Sequence, residues 1–312
     1  MSEPIKARSK IVLAKIEATY GTDATPTGAA DAMLTTEFQF TPMEGQDVAR
    51  DLETPFLGAD PSTPVDLHCT MTFNVELQGS GTAGTAPAWG PLLRACGCAE
   101  VITANTSVAY TPVSDGFEAV TVYFQHGGTL YRIMGARGTV KFDLSASGNP
   151  MLRFDFKGLY ATPGEAARPT VDLSRFKPPL PVTDRNTPVF QIGGVDYVLR
   201  SFMLDLANQI EGRFLVGSEG ILLVDRDETV ELTIEATPMT TLNPYQLAET
   251  STQIAVTLTH GTEAGKIITF AIPRAQMQRP QGLAEANKIV EWPLRLKPIP
   301  AAGDDQWTVT LT

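Results

Sequence analysis

The chain has 312 residues, 43% apolar and 19% charged, with 26 glycines and 23 prolines, a composition that excludes wholesale disorder and favours an all-β chain with many turns. A formal net charge of −11 excludes the basic stripe with which proteins grip nucleic-acid phosphates. No apolar run approaches the roughly 18–20 residues of a membrane span.

In chain order, residues 1–35 read as an N-terminal arm. After the apolar 11–16 comes a Thr-, Gly-, Ala- and Pro-rich stretch, 19–32, without the content for a core of its own. Polar residues spread through the apolar positions of 1–21 deny this segment the continuous apolar core of a signal peptide, so the chain is expected to stay in the cytoplasm where it is made. Glu37-Phe38-Gln39-Phe40 opens a run of strands. Residues 66–77 alternate, with Leu67, Cys69, Met71, Phe73, Val75 and Leu77 on one face, which is the pattern of a half-buried strand. A Gly-rich loop then leads to one short helix. Pro87 stands near its start, Trp89, Leu92, Leu93 and Ala95 face inward, and Gly97 ends it. Further strands are expected at 120–124, 129–134, 139–144 and 152–159, with Gly127-Gly128 and Ser147-Gly148-Asn149-Pro150 as turns.

Residues 161–188 are Pro-rich and read as an extended linker. Beyond it the order of elements recurs: strand 202–210, loop 211–220, alternating strand 229–236, a short helix capped by Asn243-Pro244, then strands 254–258, 266–272 and 289–296. Residues 119–127 match 253–261 in pattern, and both halves carry a downstream strand ending in lysine, Lys157 and Lys297. Arg50 followed by Gly58 parallels Arg213 followed by Gly217. The expectation is a tandem duplication, with β domains at 36–162 and 188–312 and the linker at 163–187.

The motifs that suggest chemistry are discounted on physical grounds. Gly79-Ser80-Gly81-Thr82-Ala83-Gly84 fits GxGxxG, but a dinucleotide site needs those glycines to open the helix, and Pro87 delays it. The preceding strand alternates, unlike the first strand of a buried parallel sheet. Cys96-Gly97-Cys98 with His68-Cys69 lacks the two paired knuckles of a zinc site, and buried packing cysteines are the simpler reading. Cys69, Cys96 and Cys98 also cannot all pair as disulfides. His126 and His260 both precede glycine at matching turns, and Asp225/Asp227 and Asp304/Asp305 read as solvated turns. No catalytic, cofactor-binding or metal-binding residue is therefore expected, and no enzymatic activity. Two long connections, 50–64 and 211–223, instead carry exposed-looking apolar groups. They supply the candidate contacts between copies: Arg50, Phe56 and Leu57, and Arg213, Phe214 and Leu215.

The segments KIVLAKIEATYGTDATPTGAADAML, FTPMEG, ELQGSGTAGTAPAWGPLLRACG, VAYTP and GARGTV together resemble the major tail tube proteins of long-tailed bacteriophages, densely over 10–160 and more loosely afterwards. The resemblance implies a β-sandwich-like or barrel-like domain with one short flanking helix, whose inner sheets join around a ring; with the duplication read above, the chain is expected to hold two such domains in tandem. Rings stack into the hollow tube through which DNA leaves the virion, and a long loop and the N-terminal arm bridge successive rings. Tail tube rings are generally sixfold, so a duplicated chain implies trimeric, pseudo-sixfold discs. A ring of six chains, or a monomeric β-sandwich module for a ligand or receptor, is the alternative. Lumen-facing acidic candidates, by strand alternation, are Glu76, Asp143, Asp155, Glu231 and Glu235. The implied partners are the chain itself, the tape measure protein and the tail terminator and distal tail proteins. DNA passes without specific binding, no membrane is involved, and the location is the virion tail, assembled in the host cytoplasm.

Overall fold

The computed structural model describes residues 5–312 and is almost entirely antiparallel strand. Period-two patterning is the cause. In Met151–Leu159 the side chains of Leu152, Phe154 and Phe156 are buried while Arg153 and Asp155 are exposed, and Ser62–Glu76 alternates in the same way from Cys69 onward. Each strand thus has one apolar and one polar face, and the apolar faces bury against each other. Gly90–Arg94 and Pro244–Glu249 are the two helices among the described residues, the second capped by the Asn243 side chain, which accepts from Gln246 N.

The 17-residue strand Thr129–Ser145 organises the molecule by belonging to two sheets. Its first part pairs with Val120–His126, which pairs in turn with Lys10–Ile16. Its second part lies between Met151–Leu159 and Leu199–Asp205. Pairing then runs outward from Met151–Leu159 to Ser62–Glu76 and Thr36–Ala49. On the other side it runs from Leu199–Asp205 to Thr229–Glu235 and Ile289–Pro298. The product is one continuous seven-strand antiparallel sheet that crosses from the first half of the chain into the second.

Ile268–Met277 divides itself similarly. It pairs with Gln253–His260 along its length, with Thr308–Leu311 at its start and with Ile289–Pro298 at its end. Thr308–Leu311 returns to the first half by pairing with Ser107–Pro112, which forms a hairpin with Cys98–Thr103. The core is shared: the Phe270 ring lies 5.4 Å from Phe142 and 5.1 Å from Phe202. No sheet closes into a barrel within the chain among the described residues. No helix here is long and apolar enough to cross a membrane.

Several elements differ from the sequence reading. The segments 129–134 and 139–144 are one strand, because Gly135 is a bulge and not a turn. Gly135 has φ +59°, the register shifts between Met134 and Arg137, and a Cβ there would come within 2.9 Å of Tyr20. Its N–H donates to Glu17 Oε1 at 2.7 Å. The buried Glu17 also accepts from Gly21 N at 2.6 Å and Thr121 Oγ1 at 2.8 Å. The expected arm, whose residues 1–4 lie outside the described part, contains Lys10–Ile16 as an integrated strand with Val12, Leu13 and Ala14 buried. The expected loop 211–220 is a hairpin, Asn208–Leu215 with Ser218–Arg226, turned at Val216-Gly217 where Gly217 has φ +88°. The expected extended linker carries one short strand, Gly164–Glu165, paired with Thr129 and Leu130, and is interrupted by two turns, in which Phe176 N donates to Leu173 O at 3.0 Å and Thr187 N to Thr183 O at 2.8 Å.

The two halves use the same pairings. Lys10–Ile16 pairs with Val120–His126 as Val189–Ile192 pairs with Gln253–His260, and Ser62–Glu76 pairs with Met151–Leu159 as Thr229–Glu235 pairs with Ile289–Pro298. Val120 faces Ala136 and Val122 faces Ile133, with a register shift between them. Ile254 faces Ala275 and Val256 faces Ile272, with a shift at the same place.

Candidate assembly surface

The seven-strand sheet turns its apolar side to the core and leaves a polar side outward. Registers place Glu76, Met151, Asp143, Met203, Glu231 and Arg295 in one row across six strands. Asp155 lies two rows away on the same face, between Thr72 and Thr139, and Glu235 faces Glu291. All five acidic residues singled out by alternation therefore share this face.

The same alternation also places bases on this face. Arg153 pairs with Asp143, Lys141 lies 2.8 Å from Asp205, Arg295 lies 3.8 Å from Glu231, and Arg200 Nε donates to Glu291 Oε2 at 2.7 Å. The face is a mosaic of mutually satisfied charges and not a uniform acidic field, so most of its cations are already engaged by a carboxylate.

Two margins of this sheet are open. Thr36–Ala49 pairs on one side with Ser62–Glu76 and has no partner on the other among the described residues. At the far end, Ile289–Pro298 is bordered by an interrupted strand. Ala275–Met277 and Ala284–Ala286 pair with it, Gln278 N donates to Arg295 O at 2.8 Å, and 279–283 leave the ladder. Apolar side chains are exposed at both margins, Leu34, Met43 and Val48 at the first and Leu283 at the second. Unpaired strand margins of this length template association.

The hairpin Asn208–Leu215/Ser218–Arg226 lies on the first half and is held by polar contacts. Asn208 Nδ2 donates to Cys96 O at 2.7 Å and Gly138 O at 2.9 Å. Arg226 donates to Gly97 O at 2.7 Å and Asn208 Oδ1 at 2.8 Å, and Arg137 donates to Ile221 O at 2.9 Å. Arg213, Phe214 and Leu215 form its tip. Phe214 stacks on His68 at 5.8 Å, while Leu215 is exposed. Asn208, Arg226 and Arg137 were not legible as interface residues, since an isolated polar residue on an alternating strand carries no sign of what it will meet. The longer hairpin Thr36–Ala49/Ser62–Glu76 ends in an irregular loop, 50–61, that contains Arg50, Phe56 and Leu57. Phe56 is 80% exposed and Leu57 fully exposed, so this tip has no seat in its own chain.

The motifs with chemical associations serve packing. Gly81 N donates to Gly265 O at 3.0 Å, and a Cβ at Gly79 would lie 2.1 Å from the same oxygen, so the Gly-rich loop clasps the second half by close backbone approach. The helix begins later, at Gly90, away from these glycines. Cys96 and Cys98 are buried, and burial pushes the Cys98 thiol up to about 12. Burial likewise raises Cys69 to about 12, and its thiol donates to Pro42 O at 3.1 Å.

An open-edged sheet with a polar face and an unseated hairpin is the anatomy of a subunit, and the profile of the phage tail tube protein family matches residues 7–306. The chain belongs to the phage tail tube protein family. No curated protein matches it. Membership makes it a structural component of the phage tail. In this tail tube protein, the two open margins, the polar sheet face and the exposed hairpin tip are surfaces that the single chain leaves uncovered.

Proposed function

We propose that three copies of this tail tube protein close into a pseudo-sixfold disc and that discs stack into the hollow tube through which phage DNA passes on ejection. The observation that carries this reading is the internal junction, where Thr129–Ser145 of the first half pairs edge to edge with Leu199–Asp205 of the second. Together with the repeated pairings and matched bulges, it supports reading 36–162 and 188–312 as two copies of one unit, separated by the linker 163–187, each filling a sixth of the ring. Closing the ring removes the open margins that a lone chain leaves exposed. The polar sheet face then lines the channel, including Glu76, Asp143, Asp155, Glu231 and Glu235. Arg50, Phe56 and Leu57 on the first hairpin, and Arg213, Phe214 and Leu215 on the second, supply contacts between copies or between rings. The tape measure protein inside the tube and the terminator and distal tail proteins at its ends are the further partners, with assembly in the host cytoplasm. No step of this role requires catalysis or a cofactor.

Negative-stain electron microscopy of the concentrated purified chain, with native mass spectrometry of the particles, tests it. Rings with a central hole and striated tubes, with three chains in each ring, are expected. Featureless single particles at every concentration would overturn assembly, and rings of six chains would overturn the trimer.

A further inference from the structure

The internal junction is also a template for the external one. Within the chain, Ser201 faces Ser145, Met203 faces Asp143 and Leu204 faces Phe142. The counterparts of these residues can be found by following the ladders to the two matching lysines. Met203 faces Glu231, which faces Arg295, two residues before Lys297. Gln39 faces Thr72, which faces Asp155, two residues before Lys157. Gln39 is therefore the counterpart of Met203, and by the same route Thr36 is that of Ser201. On the opposite margin Asp143 faces Met151, six residues before Lys157, and Ala284 faces Glu291, six residues before Lys297. Ala284 is therefore the counterpart of Asp143.

Resting on the ring reading above, we infer that neighbouring copies join by repeating this junction. The open margin of Thr36–Ala49 pairs antiparallel with Ala284–Ala286 of the next copy, Gln39 opposite Ala284 and Thr36 opposite Ala286. Leu283, 64% exposed, then takes the place of Phe142 beside Phe40, which is only partly buried in its own chain. The ion pair of the internal junction, Lys141 with Asp205, has uncharged counterparts at the open margins, Gly282 and Thr41, so the repeated junction rests on backbone pairing and on the Leu283–Phe40 contact.

Residues directly opposite in an antiparallel pair have Cα atoms about 4.5–5.5 Å apart, within disulfide reach. Cys69, Cys96 and Cys98 are buried and do not compete. The test is the full-length double variant Gln39→Cys/Ala284→Cys, oxidised after assembly and run on a non-reducing gel beside the out-of-register variant Gln39→Cys/Lys288→Cys. Both are imaged for rings. The expected result is a ladder of cross-linked dimers and closed trimers from the first variant and monomer from the second. Rings without cross-links in the first variant, or equal cross-linking in both, would overturn the junction and leave the ring reading standing. A ladder running on to six chains would confirm the junction and overturn the trimer. Absence of rings from the unaltered chain would overturn both.

Discussion

At position 260 a histidine is closed in from two sides. Its Nε2 lies 3.0 Å from the Leu180 carbonyl, which only accepts, so Nε2 carries the proton and Nδ1 accepts from the Thr187 hydroxyl at 2.9 Å. The ring is buried, and burial holds its pKa below the ordinary 6.5. A depressed pKa means that the unfolded chain binds the proton first. The stabilising contribution is therefore complete above pH 6.5 and is lost as pH falls from there towards the folded-state value. Urea denaturation of the monomer should show stability dropping more steeply below pH 6.5 in the wild type than in His260→Gln, and parallel pH profiles would contradict this. The sequence pairs His260 with His126, each before a glycine, but the two environments diverge. His126 contacts the Lys6 carbonyl near the surface, while His260 pins the linker to the second half. Pattern gave the place of each histidine in its half, and burial, which depends on distant chain, did not follow from it.

Elements were legible where alternation was clean and unpunctuated. Ser62–Glu76, Val120–His126, Thr229–Glu235 and the Asn243-capped helix lie where their patterns put them. The strand Thr129–Ser145 was divided in expectation because a glycine that bulges and a glycine that turns look alike in sequence. The contact that distinguishes them, Gly135 N to Glu17, spans more than a hundred residues. The hairpins show the same limit. The tip at Val216-Gly217 folds back onto the first half, whereas the loop 50–61 has no such seat. Because every residue from 50 to 61 is exposed, replacing 51–60 with an Asn-Gly turn removes no core contact. Monomer stability should change by less than about 0.5 kcal/mol, the usual range for surface changes. If the loop bridges rings, discs should still form while tubes fail to elongate, as read by electron microscopy and sedimentation. Tubes of normal length and yield would remove the loop from the inter-ring contact.

For the whole molecule, the sequence carried the fold class and the order of repeated elements, but not the fusion of two half-sheets into one, because edge pairing between distant strands has no local signature. That fusion is what places acids and bases of both halves in common rows, and it changes the account of how DNA would slide. In the proposed channel a free cation would hold a phosphate by about 1 kcal/mol at contact in water, a dwell about fivefold longer. Arg153 and Arg295 are turned to Asp143 and Glu231 across the sheet, so these carboxylates act by occupying arginines as well as by repelling phosphates. Reversal at a residue outside these pairs, Glu76→Lys, adds one cation. Asp143→Lys adds one and also releases Arg153. Both should slow ejection without changing tube length, and Asp143→Lys should slow it more at low ionic strength, with the difference shrinking as salt screens the wall. Ejection kinetics of mutant virions across a salt series decide the matter. Equal slowing by the two substitutions would leave repulsion alone as the mechanism, whereas unchanged kinetics at low salt would mean that this face does not meet the DNA.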